Sequence, residues 1–502
     1  MASAEHDERN IVAWLEPPDA NAALCALVQD QSNRRCTVMA VDGETFAGHA
    51  ANTRTLIIPV ADTVGFVERA KTAIRLAEAY GVQILLMTRT ESRDAAPPTS
   101  AELAEFERMI RQLDLRVGSW QPFMENRWQS AAALVGGNSF ESAANTNLCF
   151  EGDEPDDYEC RALLQRAFRD CETLYLRKLG VGRSSAETWR VAMNARDATQ
   201  TSTEFVVKIE TADNSREKSG FALIEDAIPS RLYAPIVEQR SRDGHSRNAV
   251  VYRFLTRSQP LLECLTEGAL DLIGSLFRHT FDQFHQPSET SYEKLGPIFK
   301  ELRYLRDSEE LTRVADEASA HGFPNWPVLR AKLLDLPPVA CNFSKIHGDL
   351  HAGNLFVHVG TEDVAVIDYA TVARKAPRVW DTATLEVSLV FPADFIRPKN
   401  WPIAPADDAI RTAFQYPLAA ENVDRSGFAD NIAAAIKAVR TCVKDRSEER
   451  AAYAIAVATA LLRFASFDDN GGRDRRVLAY VIASDVIRAA EDDLRERYAP
   501  KA

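Results

Sequence analysis

The spacing of apolar positions changes along the chain, and the changes mark its parts. Near the N-terminus, short apolar runs alternate with amphipathic stretches. Ile11–Leu15 (IVAWL), Cys36–Val41 (CTVMAV), Thr55–Val60 (TLIIPV) and Gln83–Thr88 (QILLMT) have the length and β-branching of buried strands. Between the last two, Val64, Val67, Ala70, Ile74, Leu76 and Ala77 recur near helical spacing, and Gly81 follows as a C-cap. Strand, helix, strand with a short return loop predicts a parallel α/β unit. A second helix over 101–113 and a strand at LRVGSW (Leu115–Trp120) complete a small Rossmann-like or flavodoxin-like α/β domain over residues 1–130. It contains neither G-x-G-x-x-G nor a P-loop, so no nucleotide is assigned to it.

Residues 131–160, with Gly136-Gly137-Asn138-Ser139 and the polar run EGDEPDD, read as a linker. A helix at Tyr158–Arg169 then leads into TLYLRKLGVGRSSAETWRVAM, a strand EFVVKIE, an amphipathic REKSGFALIEDAI and a strand NAVVYRFL. Thereafter the pattern is mainly helical up to Tyr498, broken by KIHGDLHAGNLFVHV and EDVAVIDYA, two short strand-like runs joined by a tight turn. Strands first and helices after predict an α+β lobe over 161–256 and a large helical lobe over 257–502.

Composition narrows the class. With 502 residues, 46% apolar and 26% charged, the chain can bury several cores and is not disordered. A net charge of −14 argues against nucleic acid or an anionic membrane as the partner. MASAEHDERN has no apolar signal region, and AAYAIAVATALLRF from Ala451 carries Thr459 and Arg463, so it reads as a core helix and not a membrane span. The eight cysteines show no C-x-x-C, which favours buried reduced thiols and a cytoplasmic setting.

The chemistry is concentrated in HGDLHAGN (His347–Asn354) and VIDYA (Val366–Ala370). Asp349 precedes Asn354 by five positions, and Asp368 follows fourteen positions after that. Phosphoryl transfer needs an acid beside the attacking hydroxyl and oxygen ligands that hold magnesium against a triphosphate. An Asp, an Asn and a second Asp in this order match the H-R-D-x-x-x-x-N and D-F-G layout of kinases, with Gly348 in place of Arg and Tyr369-Ala370 in place of Phe-Gly. Upstream, LGVGRSSAE offers Gly180, Gly182, Ser184 and Ser185 as a G-x-G-x-x-S phosphate loop that lacks the third glycine. About 25 residues further on, Lys208 in FVVKI stands where a strand lysine pairs with the α/β-phosphates. Alone, either feature reads as a turn or a solvent-facing lysine; in this order they support each other. The spacing of His347, His351 and His358 is not that of a zinc site.

HGDLHAGN with IDYA resembles the aminoglycoside phosphotransferase and choline kinase branch of the protein-kinase-like superfamily, over roughly residues 160–500. A fainter likeness is to the kinase-like ternary-complex-associated domains of bacterial signalling proteins. The resemblance implies a bilobal kinase-like fold with ATP and Mg2+ between its lobes. It implies Asp349 as catalytic base, and Asn354 and Asp368 as magnesium ligands. Glu217 or Glu225 would hold Lys208, with Glu217 preferred because it lies twelve residues before Pro229. The backbone at Phe254 and Leu255 would bond adenine. His347 would brace the catalytic loop, and Asp381 would either bond that loop's backbone or serve as a plain N-cap. The expected partners are ATP, a small-molecule or protein acceptor, and a protein partner reached through the N-terminal domain.

The expected activity is phosphoryl transfer to a hydroxyl, in a regulatory or signalling context. The alternatives are a nucleotide-binding regulatory module without transfer, or a kinase of aminoglycosides or small amino-alcohols. For the last, the acidic clusters Asp407-Asp408, Asp468-Asp469 and Glu491-Asp492-Asp493 are candidate amine-binding surfaces that also read as solvated helix ends.

Overall fold

In a computed structural model of the chain, the N-terminal apolar runs form one five-stranded sheet in the order β2-β1-β3-β4-β5. Its strands are β1 (Ile11–Leu15), β2 (Thr37–Val41), β3 (Thr53–Val60), β4 (Gln83–Thr88) and β5 (Trp120–Met124), and every adjacent pair is parallel. The structure describes residues 11–15, 37–41, 43–60, 66–88, 120–124 and 146–152, most of 154–179, 186–195, 204–211, most of 216–392, Ile410, Arg411, Phe414, and most of 430–498. Parallel strands need a crossover. Helix α1 (Gly43–His49) follows β2, and α2 (Phe66–Ala79) carries the crossover from β3 to β4. Ala70, Ile74, Leu76 and Ala77 of α2 are buried, as are Leu56, Ile57, Ile58, Ile84 and Leu85 on the strands. Gly81 ends the helix region in the left-handed conformation, φ +63°, as its C-cap position demands. The helix expected over 101–113 lies outside the described residues. The strand expected at Leu115–Trp120 begins where that expectation ends, because Ile84–Thr88 pairs with Trp120–Met124.

The second sheet has six strands, β6 (Asn147–Glu151), β7 (Cys171–Leu179), β8 (Glu187–Ala195), β9 (Glu204–Thr211), β10 (Arg242–Asp243) and β11 (Arg247–Arg253), in the order β10-β11-β9-β8-β7-β6. Only β6–β7 is parallel. Strand β6 falls inside the stretch whose glycines read as linker. Leu148 and Phe150, its apolar residues, pack on the core made by Leu163, Phe168, Trp189, Val191, Val207, Ile209 and Val251. Helix α3 (Tyr158–Ala167) covers this core and is capped by Asp157, whose carboxylate accepts from the Glu159 N–H at 2.9 Å. Burial pushes the Cys160 thiol of α3 up to about 12, with the Asp157 charge adding to the effect, so it is an inert packing group. Arg166 of α3 donates to the carbonyls of Ala79 (2.8 Å) and Glu78 (3.4 Å) in the last turn of α2, where the helix ladder leaves carbonyls to be met from outside. Both sheets belong to one compact unit, residues 1–215 and 236–253.

The second unit comprises residues 216–235 and 254–502. It contains α4 (Glu217–Glu225), two three-stranded sheets and a helical body. The sheets are β12 (Ser258–Pro260), β15 (Leu355–His358) and β16 (Val364–Val366), and β13 (Glu289–Glu293), β14 (Val339–Ile346) and β17 (Ala373–Pro377). The main helices are α5 (Glu309–Ala320), α6 (Trp326–Asp335), α7 (Val379–Val390), α8 (Asp430–Asp445), α9 (Arg450–Ala465) and α10 (Arg473–Tyr498). Helix α9 is the apolar run at Ala451. It packs against α7 and α10 and is buried on nearly every side, which is why its sequence is apolar all round. Among the described residues, no helix is long and apolar enough to cross a membrane. Glu386 of α7 is fully buried and accepts from Arg440 Nη2 (2.6 Å) and from the Tyr453 hydroxyl (2.6 Å), so its charge is paired.

Candidate active site

Strand β14 delivers the chain to His347, and the next eight residues form a loop fixed by side chains from elsewhere in the second unit. Asp381, fully buried in the first turn of α7, accepts from the His347 N–H (2.8 Å) and the Gly348 N–H (2.9 Å), and its Oδ2 lies 3.3 Å from His285 Nε2. Of the two roles open to it from sequence, it takes the loop-bonding one. The Ncap of α7 is Arg378, not Asp381. Trp380 Nε1 donates to the Gly348 carbonyl (2.8 Å), the Thr371 hydroxyl to the His347 carbonyl (3.0 Å), and the Ala352 N–H to the Ser388 hydroxyl (2.9 Å). Gly348 has φ +82°, and a Cβ there would sit 2.3 Å from the Thr371 carbonyl oxygen. Only glycine fits.

His347 is fully buried and its Nε2 lies 3.0 Å from the Ile367 carbonyl, which ties the loop to the strand end bearing Asp368. Asn354 donates its amide N–H to the Asp349 carbonyl (2.9 Å), and its own carbonyl accepts from the Ile367 N–H (3.0 Å). Asp349, Asn354 and Asp368 are therefore gathered by bonds within one unit. Asp368 itself is left-handed, φ +65°, a conformation costly for a residue with a Cβ and common at functional turns. His351 caps the short turn Ala352–Asn354 by accepting from the Gly353 N–H (3.1 Å), and its Nε2 lies 3.9 Å from Asp349 Oδ2.

The donor set suits a hard divalent cation. Asn354 spends its N–H on Asp349, which leaves its amide oxygen as an acceptor, and Asp368 supplies a carboxylate. Among the described residues, no group of three or more His, Cys, Asp or Glu could hold a metal ion, so a cation here would draw the rest of its shell from phosphate oxygens and water.

Glu217 is fully buried and accepts from the Tyr369 N–H at 2.6 Å, one residue past Asp368. Close approach of α4 is enforced at Gly220, where a Cβ would lie 1.9 Å from the Tyr369 carbonyl oxygen. Glu225 is exposed at the end of α4. In the first unit, Lys208 is buried on the central strand β9, opposite Val250 on β11 and Thr188 on β8. Phe254 and Leu255, directly after β11, are half-buried. Gly180, Gly182, Ser184 and Ser185 lie outside the described residues, in sequence between β7 and β8.

Sequence reasoning missed the cation beside the acid. Arg463 of α9 places Nη1 3.1 Å from Asp349 Oδ1, with its guanidinium over the rings of Tyr304 (5.8 Å) and Trp380 (5.9 Å). Those rings are stacked at 4.2 Å and 1°. Burial, reinforced by the Asp381 charge, pushes the Tyr304 hydroxyl well above its ordinary value, so it stays protonated. The one signal available was a lone charge deep in an apolar helical run.

Within the second unit, a loop acid and an Asn followed by a second Asp at a strand end are groups of the kind that phosphoryl transfer uses. Residues 197–399 match APH, the phosphotransferase enzyme family. The match bears out the resemblance read from HGDLHAGN and VIDYA, together with the enzyme class it implies, a phosphotransferase. The mixed sheets and helical body fit a bilobal kinase-like fold. No curated protein matches the chain. Among solved structures it is similar to a candidate fructosamine-3-kinase from Haemophilus somnus 129PT, at 13% identity and a TM-score of 0.34, over 61% of this chain and 89% of that one. It is also similar to an aminoglycoside-3'-phosphotransferase of type VIII (16% identity, TM-score 0.29, 53% and 93%). A third is the aminoglycoside phosphotransferase APH(3'')-Id from Streptomyces rimosus ATCC10970 (16%, 0.29, 57% and 98%). Superpositions this loose carry no weight for substrate.

Proposed function

We propose that the chain is an ATP- and Mg2+-dependent phosphotransferase that moves the γ-phosphoryl group to an alcohol. The observation that carries this reading is the tethered loop, which holds Asp349 while Asn354 and Asp368 offer oxygen ligands within the same bonded unit. The acceptor oxygen bonds to the γ-phosphorus, the bond from that phosphorus to the bridging oxygen breaks with its electron pair going to ADP, and Asp349 takes the hydroxyl proton. Magnesium, when bound, would neutralise phosphate charge. Lys208 and the segment with Gly180, Gly182, Ser184 and Ser185 would hold the triphosphate, and the backbone at Phe254 and Leu255 the adenine. Glu217 orders the Asp368 segment through the Tyr369 N–H.

The N-terminal sheet has the strand order of a flavodoxin-like doubly wound domain, and we assign it a docking or regulatory role in a cytoplasmic signalling setting. A second reading, a nucleotide-binding regulatory module without transfer, draws support from the Arg463–Asp349 ion pair, which engages the proposed base.

The test is thermal. A ligand that binds only the native state raises its melting temperature by mass action. Millimolar ATP with magnesium should raise it for the wild type, and Asp368→Ala and Lys208→Ala should each remove most of the shift. No shift for the wild type would sink both readings.

A further inference from the structure

We propose that Arg166 locks the N-terminal α/β domain to the sheet that carries Lys208, so that the domain regulates how tightly that sheet holds MgATP. The inference rests on the phosphotransferase reading and adds to it a regulation of the nucleotide site. It leaves the acceptor aside. Of the acidic clusters read as amine surfaces, Glu491 pairs with Arg495 and Asp493 with Arg497 (2.7 Å), and Asp407-Asp408 and Asp468-Asp469 lie outside the described residues.

Both sheets belong to one compact unit, and α3 packs against elements of each. On one side it meets α2. Arg166, 8% exposed, sends Nη1 to the carbonyls of Ala79 (2.8 Å) and Glu78 (3.4 Å), and the same nitrogen reaches the Asp243 carbonyl of β10 (3.2 Å). The approach is close, since a Cβ on Gly81 would lie 2.6 Å from Arg166 Nη2. Beside it, the Tyr80 hydroxyl donates to Gln165 Oε1 (3.4 Å), and Gln165 Nε2 donates to the Thr146 carbonyl (3.1 Å), directly before β6. On the other side, buried Glu159 accepts from the Ser246 N–H (2.9 Å) and the Arg247 N–H (3.3 Å), where β11 leaves its hairpin turn. Helix α3 therefore grips the β10–β11 hairpin at two points, through Glu159 at the turn and through Arg166 at β10.

The consequence for the nucleotide follows from strand register. Strand β11 runs on from that turn and sets Val250 opposite Lys208 of β9. A buried guanidinium has to keep its acceptors, because a desolvated charge without them is costly. If α2 swings away, Arg166 Nη1 loses the carbonyls of Ala79 and Glu78 and turns to water to replace them. The hairpin then keeps only the Glu159 grip, and β10 and the start of β11 fray. The junction is thus a two-state element. Closed, one guanidinium is shared between α2 and β10; open, the hairpin is partly released. MgATP held on the Lys208 sheet favours the closed state, and closure tightens MgATP by the same factor, because coupling between two sites is reciprocal.

The test is hydrogen–deuterium exchange of the full-length protein with and without millimolar MgATP, read at α2 and β4 (66–88) and at β9 and β11 (204–211 and 247–253). We expect MgATP to slow exchange on the Lys208 sheet and also in 66–88, the latter by about fivefold, a modest coupling between two sites. Arg166→Met keeps much of the side-chain bulk and removes the shared donor. In that variant the slowing in 66–88 should vanish while that in 204–211 persists, and the MgATP dissociation constant should rise by a similar factor. Arg166→Lys should retain part of both effects, because one cationic donor can still meet one carbonyl. In the wild type, slowing confined to the Lys208 sheet overturns the inference. So does slowing in 66–88 that survives Arg166→Met, or an unchanged dissociation constant in that variant. If Arg166→Met does not fold, Arg166→Lys decides: a reduced slowing in 66–88 sustains the inference, and an undiminished one overturns it. MgATP that slows exchange nowhere defeats the underlying reading, and the inference with it.

Discussion

Lys208 and Asp349 are held in place by opposite means. Lys208 sits mid-strand, where its position follows from the β8–β9–β11 register, and that register is backbone pairing throughout. Asp349 sits in a loop with no ladder of its own, pinned by Asp381, Thr371, Trp380 and Ser388 from later in the chain. A ladder spreads its support over many equivalent bonds, so single replacements around it should perturb a group little. A tethered loop concentrates its support in a few buried side chains, each irreplaceable by another of different shape or charge.

The contrast breaks most visibly at Asp381. Asp381→Ala leaves two buried N–H donors and His285 without their common acceptor, and should cost about 3–5 kcal/mol in denaturant unfolding. Transfer should fall with it, since the loop loses its anchor. Next is Gly348→Ala. A Cβ 2.3 Å from the Thr371 carbonyl at φ +82° forces the loop to move, and we expect a loss of about 2–3 kcal/mol together with a lowered kcat. On the ladder side, Val250→Ala removes buried methyl groups opposite Lys208. It should cost about 2 kcal/mol by chemical denaturation yet change the MgATP dissociation constant less than about threefold. A tenfold loss of affinity would show that strand packing, and not register, positions the lysine.

The smallest effect concerns charge in the first unit. Arg240 grips Asp170 with two bonds of 2.7 Å, and this holds the Asp170 carboxyl below its ordinary value. A depressed carboxyl stabilises the fold above its unfolded pKa, and the contribution disappears as pH falls through the folded value. Asp170→Asn should therefore be slightly less stable than wild type at neutral pH, with the gap closing below about pH 4 in a pH series of thermal melts. Partial exposure keeps the gap small.

The same contrast explains what could be read in the sequence. Periodicity announces ladders and buried helices, so β1, β3, β4, β9 and the apolar α9 were legible, and the order of HGDLHAGN and VIDYA marked the site. Tethers have no period. That Asp381 bonds two loop N–H groups follows from where α7 packs, which no local pattern encodes. Strand β6 was masked by the glycines and acids flanking five residues, too few for alternation to stand out. Arg463 was visible only as a charge inside an apolar run. Its partner, Asp349, lies more than a hundred positions earlier, and local sequence carries no sign of that pairing.

The central claim is that Asp349 takes the acceptor's proton in a site that binds MgATP independently of that acid. Asp349→Asn keeps the side-chain size and its hydrogen-bonding capacity while removing the base. The decisive measurement is product formation by this variant beside its MgATP dissociation constant, using an acceptor the wild type phosphorylates. The account predicts turnover reduced by about 10²–10⁴-fold with nucleotide affinity within a few-fold of wild type. Turnover at the wild-type rate would contradict it.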